Sequence, residues 1–418
     1  MGLAQMEWDP ARIRALRLAL RLPQERFAER LGAAPKTVCN WEQGRHPPGL
    51  ALTQALDEVW EAATSEQKKR FFASLLQDRA APERRAGPEL APAFHDGCGP
   101  AHLEPIRDAL SCYPAFDAES APTMTLDEAR QLTTEVHQRY QAADYARAAN
   151  LLPRLIRGVD ALVIQGGSSV HPTVQAAQSG VYVVTAKLVT KIGDAQLAWL
   201  AADRAASVAQ RAEDPLLCAA AAYQVVCALL KGGQLAEGER IAVATAGNLT
   251  DATPLGLSLR GALTLIGSII AARRNDPVEA SERLNRARRL SDALGNDGNY
   301  GWTAFGPTNV QIHSVSAAVE LRDAGEVIAR AENLDTSRLP LHLLSRRAQV
   351  HIDCAWAYAH HRQDPASVGN LLEAERVAPE TLRYNRVVRG LMREMLSRER
   401  RAATPGLRGL AQRAGVLP

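Results

Sequence analysis

The stretch QERFAERLGAAPKTVCNWEQGR, Gln24 to Arg45, reads as two short helices meeting at LGAAP. Pro23 stands at helix entry, where its fixed φ is already helical, and Phe27, Ala28 and Leu31 give the first helix an apolar face. Gly32 ends that helix because it is free to adopt positive φ. Pro35 restarts the chain, Val38 and Trp41 point inward at i and i+3, and Gly44 stops the second helix. Pro35, Lys36, Thr37, Cys39 and Asn40 are left on its outer face.

The rest of the chain agrees with helix. It has 418 residues, rich in alanine, leucine and arginine, and only 5% are aromatic, which suits close-packed helices and gives long strands little support. The fold class expected is all-α. A net charge of +3 is too small for a general polyanion binder, so any nucleic-acid surface must be local. The segment Arg12 to Arg45 is net positive. The six cysteines show no CxxC pair or regular spacing, so neither a zinc site nor a disulfide framework is indicated. His95, Cys98 and His102 approach a metal cluster only by chance proximity in a Pro/Gly-rich segment, so no metal and no cofactor is expected. Arginines interrupt the N-terminus, no run is read as long enough to span a membrane, and Met6 stands where myristoylation favours Ser or Thr. A cytoplasmic protein is expected.

Four parts follow from composition and periodicity. Residues 1–79 are helical with short turns. Residues 80–122 are dense in Pro and Gly and read as a linker, with a turn or two near Leu103 to Leu110. Residues 123–380 alternate long helices around a landmark, a small turn rich in Asp or Gly followed by an alanine-bearing helix, at Asp144, Asp194, Gln234, Asp276, Asp323 and Asp364. These are spaced by 50, 40, 42, 47 and 41 residues, a repeat with variable padding. Residues 381–418 read as capping helices with a solvated arginine face. The GD(Y)xxA pattern resembles tetratricopeptide repeats, although the periods exceed the roughly 34 residues of that repeat. The resemblance implies an α-solenoid with a concave inner face.

The segment RALRLALRLPQERFAERLGAAPKTVCNWEQGRHPP resembles the XRE-type helix-turn-helix domain of phage repressors and many bacterial regulators, over about residues 9–62. That resemblance implies DNA binding, with the second helix of the corner in the major groove. It makes Lys36 and Asn40 the base readers, with Pro35, Thr37 and Cys39 beside them. Gln24, Arg14 and Arg45 become phosphate contacts, and Arg17 with Glu42 an internal ion pair. Pro23 replaces the usual Ser or Thr cap, and Ala33 and Ala34 replace polar residues that often reach DNA. One such headpiece covers about one groove face, so a homodimer on a double-stranded operator is expected.

Domain order and repeat number resemble peptide-pheromone-sensing regulators, in which a short peptide occupies the repeat groove. This implies quorum or signal sensing by the array. A short peptide, a small signalling molecule, and a partner protein or self-association alone remain alternative occupants. Aligning the landmarks turns His137, Lys187, Tyr223, Asn309 and Asp353 toward the concave face. In GNYGWTAFGPTNVQIH, Gly298 to His313, Trp302 and Phe305 are either a plug between hairpins or an aromatic lid over the groove. There is no Walker loop, GxGxxG, HExxH or GxSxG, and Ser168, Ser169 and His171 are too close together to imply a triad, so no enzyme is expected.

Overall fold

The computed structural model describes residues 8–42, 48–64, 67–68, 70–71, 103–113, 123–166 and 170–417. Gly44, Arg45, His95, Cys98, His102, Ser168 and Ser169 lie outside the described residues. Every regular element among the described residues is helical. The chain divides into two units, Met1–Glu89 and Leu90–Pro418.

The first unit contains α1 (Pro10–Ala19), α2 (Gln24–Leu31), α3 (Pro35–Glu42) and α4 (Leu50–Glu61). Asp9 caps α1 by accepting the Arg12 amide at 2.7 Å, with Pro10 preset in the first turn. At the start of α2 no side chain caps, and Pro23 supplies only its extended ψ. Gly32 closes α2 at φ 67°, the left-handed conformation the corner requires. Phe27, Ala28, Leu31, Val38 and Trp41 are buried with Ile13, Leu16 and Leu56, so the corner is held by one shared core.

The second unit is built of six helical hairpins. They are α6/α7 (Leu126–Gln141, Tyr145–Gln165), α8/α9 (Pro172–Ile192, Ala195–Arg211), α10/α11 (Pro215–Lys231, Leu235–Asn248), α12/α13 (Pro254–Arg273, Pro277–Leu294), α14/α15 (Pro307–Glu320, Ala324–Glu332) and α16/α17 (Leu344–His360, Asp364–Val377). The turn landmarks fall at the N-termini of the second helices. Asp194, Asp276 and Asp323 each accept a backbone amide three residues on. One or two residues earlier the chain takes positive φ, at Ala143, Gly193, Gly233, Asn275, Arg322 and Arg362. That left-handed residue is what reverses the chain. Consecutive first helices touch one another directly and the second helices pack outside them, so the first helices form the inner wall.

Three findings depart from the sequence expectations. Leu103–Ser111, within the segment read as linker, is a nine-residue helix, α5, whose Leu103, Ile106, Ala109 and Leu110 are buried against the repeat core. The flanking Pro and Gly residues masked its short amphipathic stripe. Pro254–Arg273 is long and apolar enough to cross a membrane, contrary to the expectation that no run is. Fifteen of its 20 residues are buried among neighbouring helices, so its apolar character serves the array's core. The array also bends until its ends meet. Tyr145 at the first turn shares a 2.8 Å hydroxyl hydrogen bond with Thr381, and the Ala146 amide donates to Glu380 at 3.0 Å.

Beyond the sixth hairpin, α18 (Pro379–Tyr384), α19 (Arg386–Ser397) and α20 (Leu407–Arg413) bury Val388, Leu391, Met392, Met395, Leu407 and Leu410 against its apolar face. Arg398 fixes them by a side-on pair with Asp364 at 2.8 and 2.9 Å.

Candidate functional site

In the first unit the outer face of α3 is set by what its inner face buries. Val38 is fully buried and Trp41 is 3% exposed. This turns Pro35 and Lys36 to solvent and leaves Thr37, Cys39 and Asn40 half-buried. Lys36 and Asn40 are one turn apart on one face. The end of α3 is clamped to α1: Arg17 Nε donates to Glu42 Oε1 at 2.6 Å and Arg17 Nη2 to Oε2 at 3.1 Å. Arg17 Nη1 also reaches the Leu22 carbonyl at 3.2 Å. The fork of a guanidinium on a carboxylate fixes angle as well as distance, so α3 cannot roll about its axis.

Gln24, expected to hold a phosphate, donates its amide to Glu42 Oε2 at 2.7 Å. Glu42 retains lone pairs after pairing with Arg17, and one of them takes this third hydrogen bond. Gln24 and the exposed Arg14 nevertheless share a recess of about 220 Å³ with Arg17 and Glu42.

In the second unit the ring closure gathers residues from distant hairpins. The segment between α13 and α14 crosses to the first two hairpins. Trp302 stacks on His137 with centroids 4.8 Å apart and planes 3° from parallel. Its carbonyl accepts from Lys187 Nζ, whose ammonium lies 5.1 Å from the Tyr140 ring centroid. Gln141 and Asn299 exchange two amide hydrogen bonds of 2.8 and 2.9 Å. Gly301, Trp302 and Ala304 all have positive φ, so the segment is bent tightly to make this reach. A cleft of about 640 Å³ runs along the seam, lined by Gln138, Arg139, Asn299, Trp302 and His342.

The residues assigned to the concave face separate into two groups. Lys187 and Tyr223 are half-buried side chains of the inner wall. His137, Asn309 and Asp353 are 3%, 2% and 4% exposed. Phe305 is corrected from groove lid to core residue: it is fully buried, and its ring lies so close to Gly261 of α12 that a Cβ there would meet it at 2.1 Å. Trp302 is part of the closure. The sequence reading missed Arg346 of α16, whose charge acts on Tyr140, Lys187, Lys191, Tyr223, Cys227 and His313. It sits two turns before Asp353, on the same helix face, and that spacing was its available signal.

Burial governs titration in this interior. It depresses Lys187 to about 7 and Lys191 to about 8, with Arg346 adding repulsion to both. His137 falls well below the usual imidazole range and His313 falls to about 3, so both rings are neutral at pH 7. Asp353 rises to about 7, against hydrogen bonds from Ser316 and Gln349 at 2.7 and 2.8 Å. The arrangement brings basic side chains and neutral acceptors together on the inner wall of the array.

No family model matches the chain, and no curated protein does. Among solved structures, the chain is similar to a Rap protein complexed with competence and sporulation factor, with 12% identity, 89% of this chain and 96% of the other covered, and a TM-score of 0.48.

Proposed function

We propose that the chain is a sequence-specific DNA-binding transcriptional regulator of the XRE helix-turn-helix type, whose helical-repeat unit senses a short peptide or small molecule and joins two copies. In this reading α3 enters the major groove and Lys36 and Asn40 contact base edges. Arg14 and the recess beside Gln24 seat a phosphate, and the repeat unit performs no chemistry of its own. The observation that carries the reading is the Arg17–Glu42–Gln24 clamp, which holds a short helix with its apolar side buried and Lys36 and Asn40 on one outer face. A helix used only for packing has no need of a polar outer face fixed in rotation.

The sensing half is supported by the interior of the ring, where polar and charged side chains from several hairpins converge instead of filling the space with apolar groups. A role in contacting a second protein chain is favoured by Trp199, 56% exposed on the outer helix α9. The test is selection of host genomic fragments by the full chain: enrichment of one shared, pseudo-palindromic site is expected. Uniform recovery, dependent only on salt, would overturn the reading.

A further inference from the structure

Lys191 and Lys231 each stand three residues before a turn landmark, at Asp194 and Gln234, so they occupy equivalent heights on the neighbouring inner helices α8 and α10. Arg273 holds the same place on α12 and is neutralised by Glu320 of α14, with Nε to Oε2 at 3.0 Å. Lys191 and Lys231 have no such carboxylate among the described residues. Arg346 of α16 lies near enough to repel Lys191, Lys231 is repelled in turn by Arg273 and Arg386, and the Arg346 guanidinium has no hydrogen-bond or ion-pair partner among the described residues. Asp353, whose charge acts on Lys191, is already engaged by Ser316 and Gln349. The interior thus concentrates positive charge that the chain does not balance, an arrangement that is unfavourable unless an anion enters.

A second observation describes the rest of a ligand. Asn309 Oδ1 is buried without a donor, on a residue 2% exposed. One turn on, the neutral His313 ring donates from Nδ1 to the Asn309 carbonyl at 2.8 Å, which leaves Nε2 as an acceptor. An orphaned acceptor at this depth calls for a donor.

We propose that the interior of the repeat ring binds a compact oxyanion, a carboxylate or phosphate, on a ligand that also carries an N–H or O–H donor. Arg346, Lys191 and Lys231 hold the anion, with Arg346 suited to two oxygens at once, and Asn309 and His313 accept from the donor. The site rests on the reading of the array as a sensor and states the chemistry of what it senses.

The experiment titrates the full chain with citrate and, separately, inorganic phosphate at millimolar concentration, against sodium chloride of matched ionic strength, following thermal unfolding and heats of binding. At least one of the two oxyanions is expected to raise Tm where chloride does not; a preference for citrate assigns carboxylates, and one for phosphate assigns phosphoryl groups. Arg346→Gln and Lys191→Gln are each expected to raise the Tm of the ligand-free chain, by relieving repulsion, while weakening the oxyanion at least about tenfold. A residue with a merely structural role would lower Tm instead. Equal effects of oxyanions and chloride, or unchanged affinity in Arg346→Gln, overturn the proposal. Binding that leaves affinity for the selected DNA unchanged supports the site and refutes the sensor reading. DNA affinity that answers to host extract while neither oxyanion binds refutes the site and leaves the sensor reading standing.

Discussion

Removing either partner of the Arg17–Glu42 pair is expected to unlock α3. The two side chains are 14% and 6% exposed, so deleting one leaves the other charged group largely out of water with no counter-ion. Loss of one partner of such a pair costs about 3–5 kcal/mol when burial is complete, and the residual exposure of Arg17 argues for the lower end, about 3 kcal/mol for Glu42→Ala. Arg17→Ala should cost about 2 kcal/mol, because Gln24 still donates to Glu42 at 2.7 Å and satisfies part of the carboxylate. The double variant removes both charges and should cost less than the sum, with a coupling of about 2 kcal/mol. Hydrogen exchange at the α3 amides, read in the full chain, reports this locally and apart from the repeat unit. Strict additivity, or single effects below about 0.5 kcal/mol, would refute the view that this clamp fixes α3.

The other perturbations concern the repeat unit. Gly261→Ala places a methyl group 2.1 Å from the Phe305 ring and is expected to destabilise by about 2–3 kcal/mol, read as a fall in Tm; a neutral effect would contradict the packing. His137 is held neutral, with a folded pKa below its unfolded one, so its contribution is complete above about pH 6.5 and is lost on acidification. Stability should therefore fall by up to about 1.4 kcal/mol per pH unit for this group below that point, and His137→Phe, which keeps the stack on Trp302, should remove that share. Lys187, depressed to about 7, has the same sign at higher pH: stability rises between its folded and unfolded pKa values, and Lys187→Met should abolish the rise.

Local structure was legible because its determinants are local. The turn landmarks coincide with the starts of second helices, since a left-handed residue and an Asp cap leave a sequence trace at each turn. Gly32 and the inward Val38 and Trp41 were legible for the same reason. The closure of the array was not, because contacts such as Tyr145 to Thr381 span 236 residues and depend on the accumulated rotation of six hairpins. That closure decides which concave residues are covered. It buries His137 under Trp302, and the packing of α12 takes Phe305 into the core. Arg346 became visible only when α16 was brought opposite α8 and α10. Gln24 was read by its position at a helix start; its hydrogen bond to Glu42 depends on how α3 approaches α2 and left no trace in the sequence.

The central claim is that α3 reads base edges, and an electrophoretic shift assay on the selected genomic site tests it most directly. Lys36→Ala combined with Asn40→Ala removes two outward contacts worth about 1–3 kcal/mol each. The account predicts a loss of specific affinity of about a hundredfold or more, with weak binding to unrelated DNA retained through the phosphate contacts. Unchanged preference for the selected site in the double variant would contradict it.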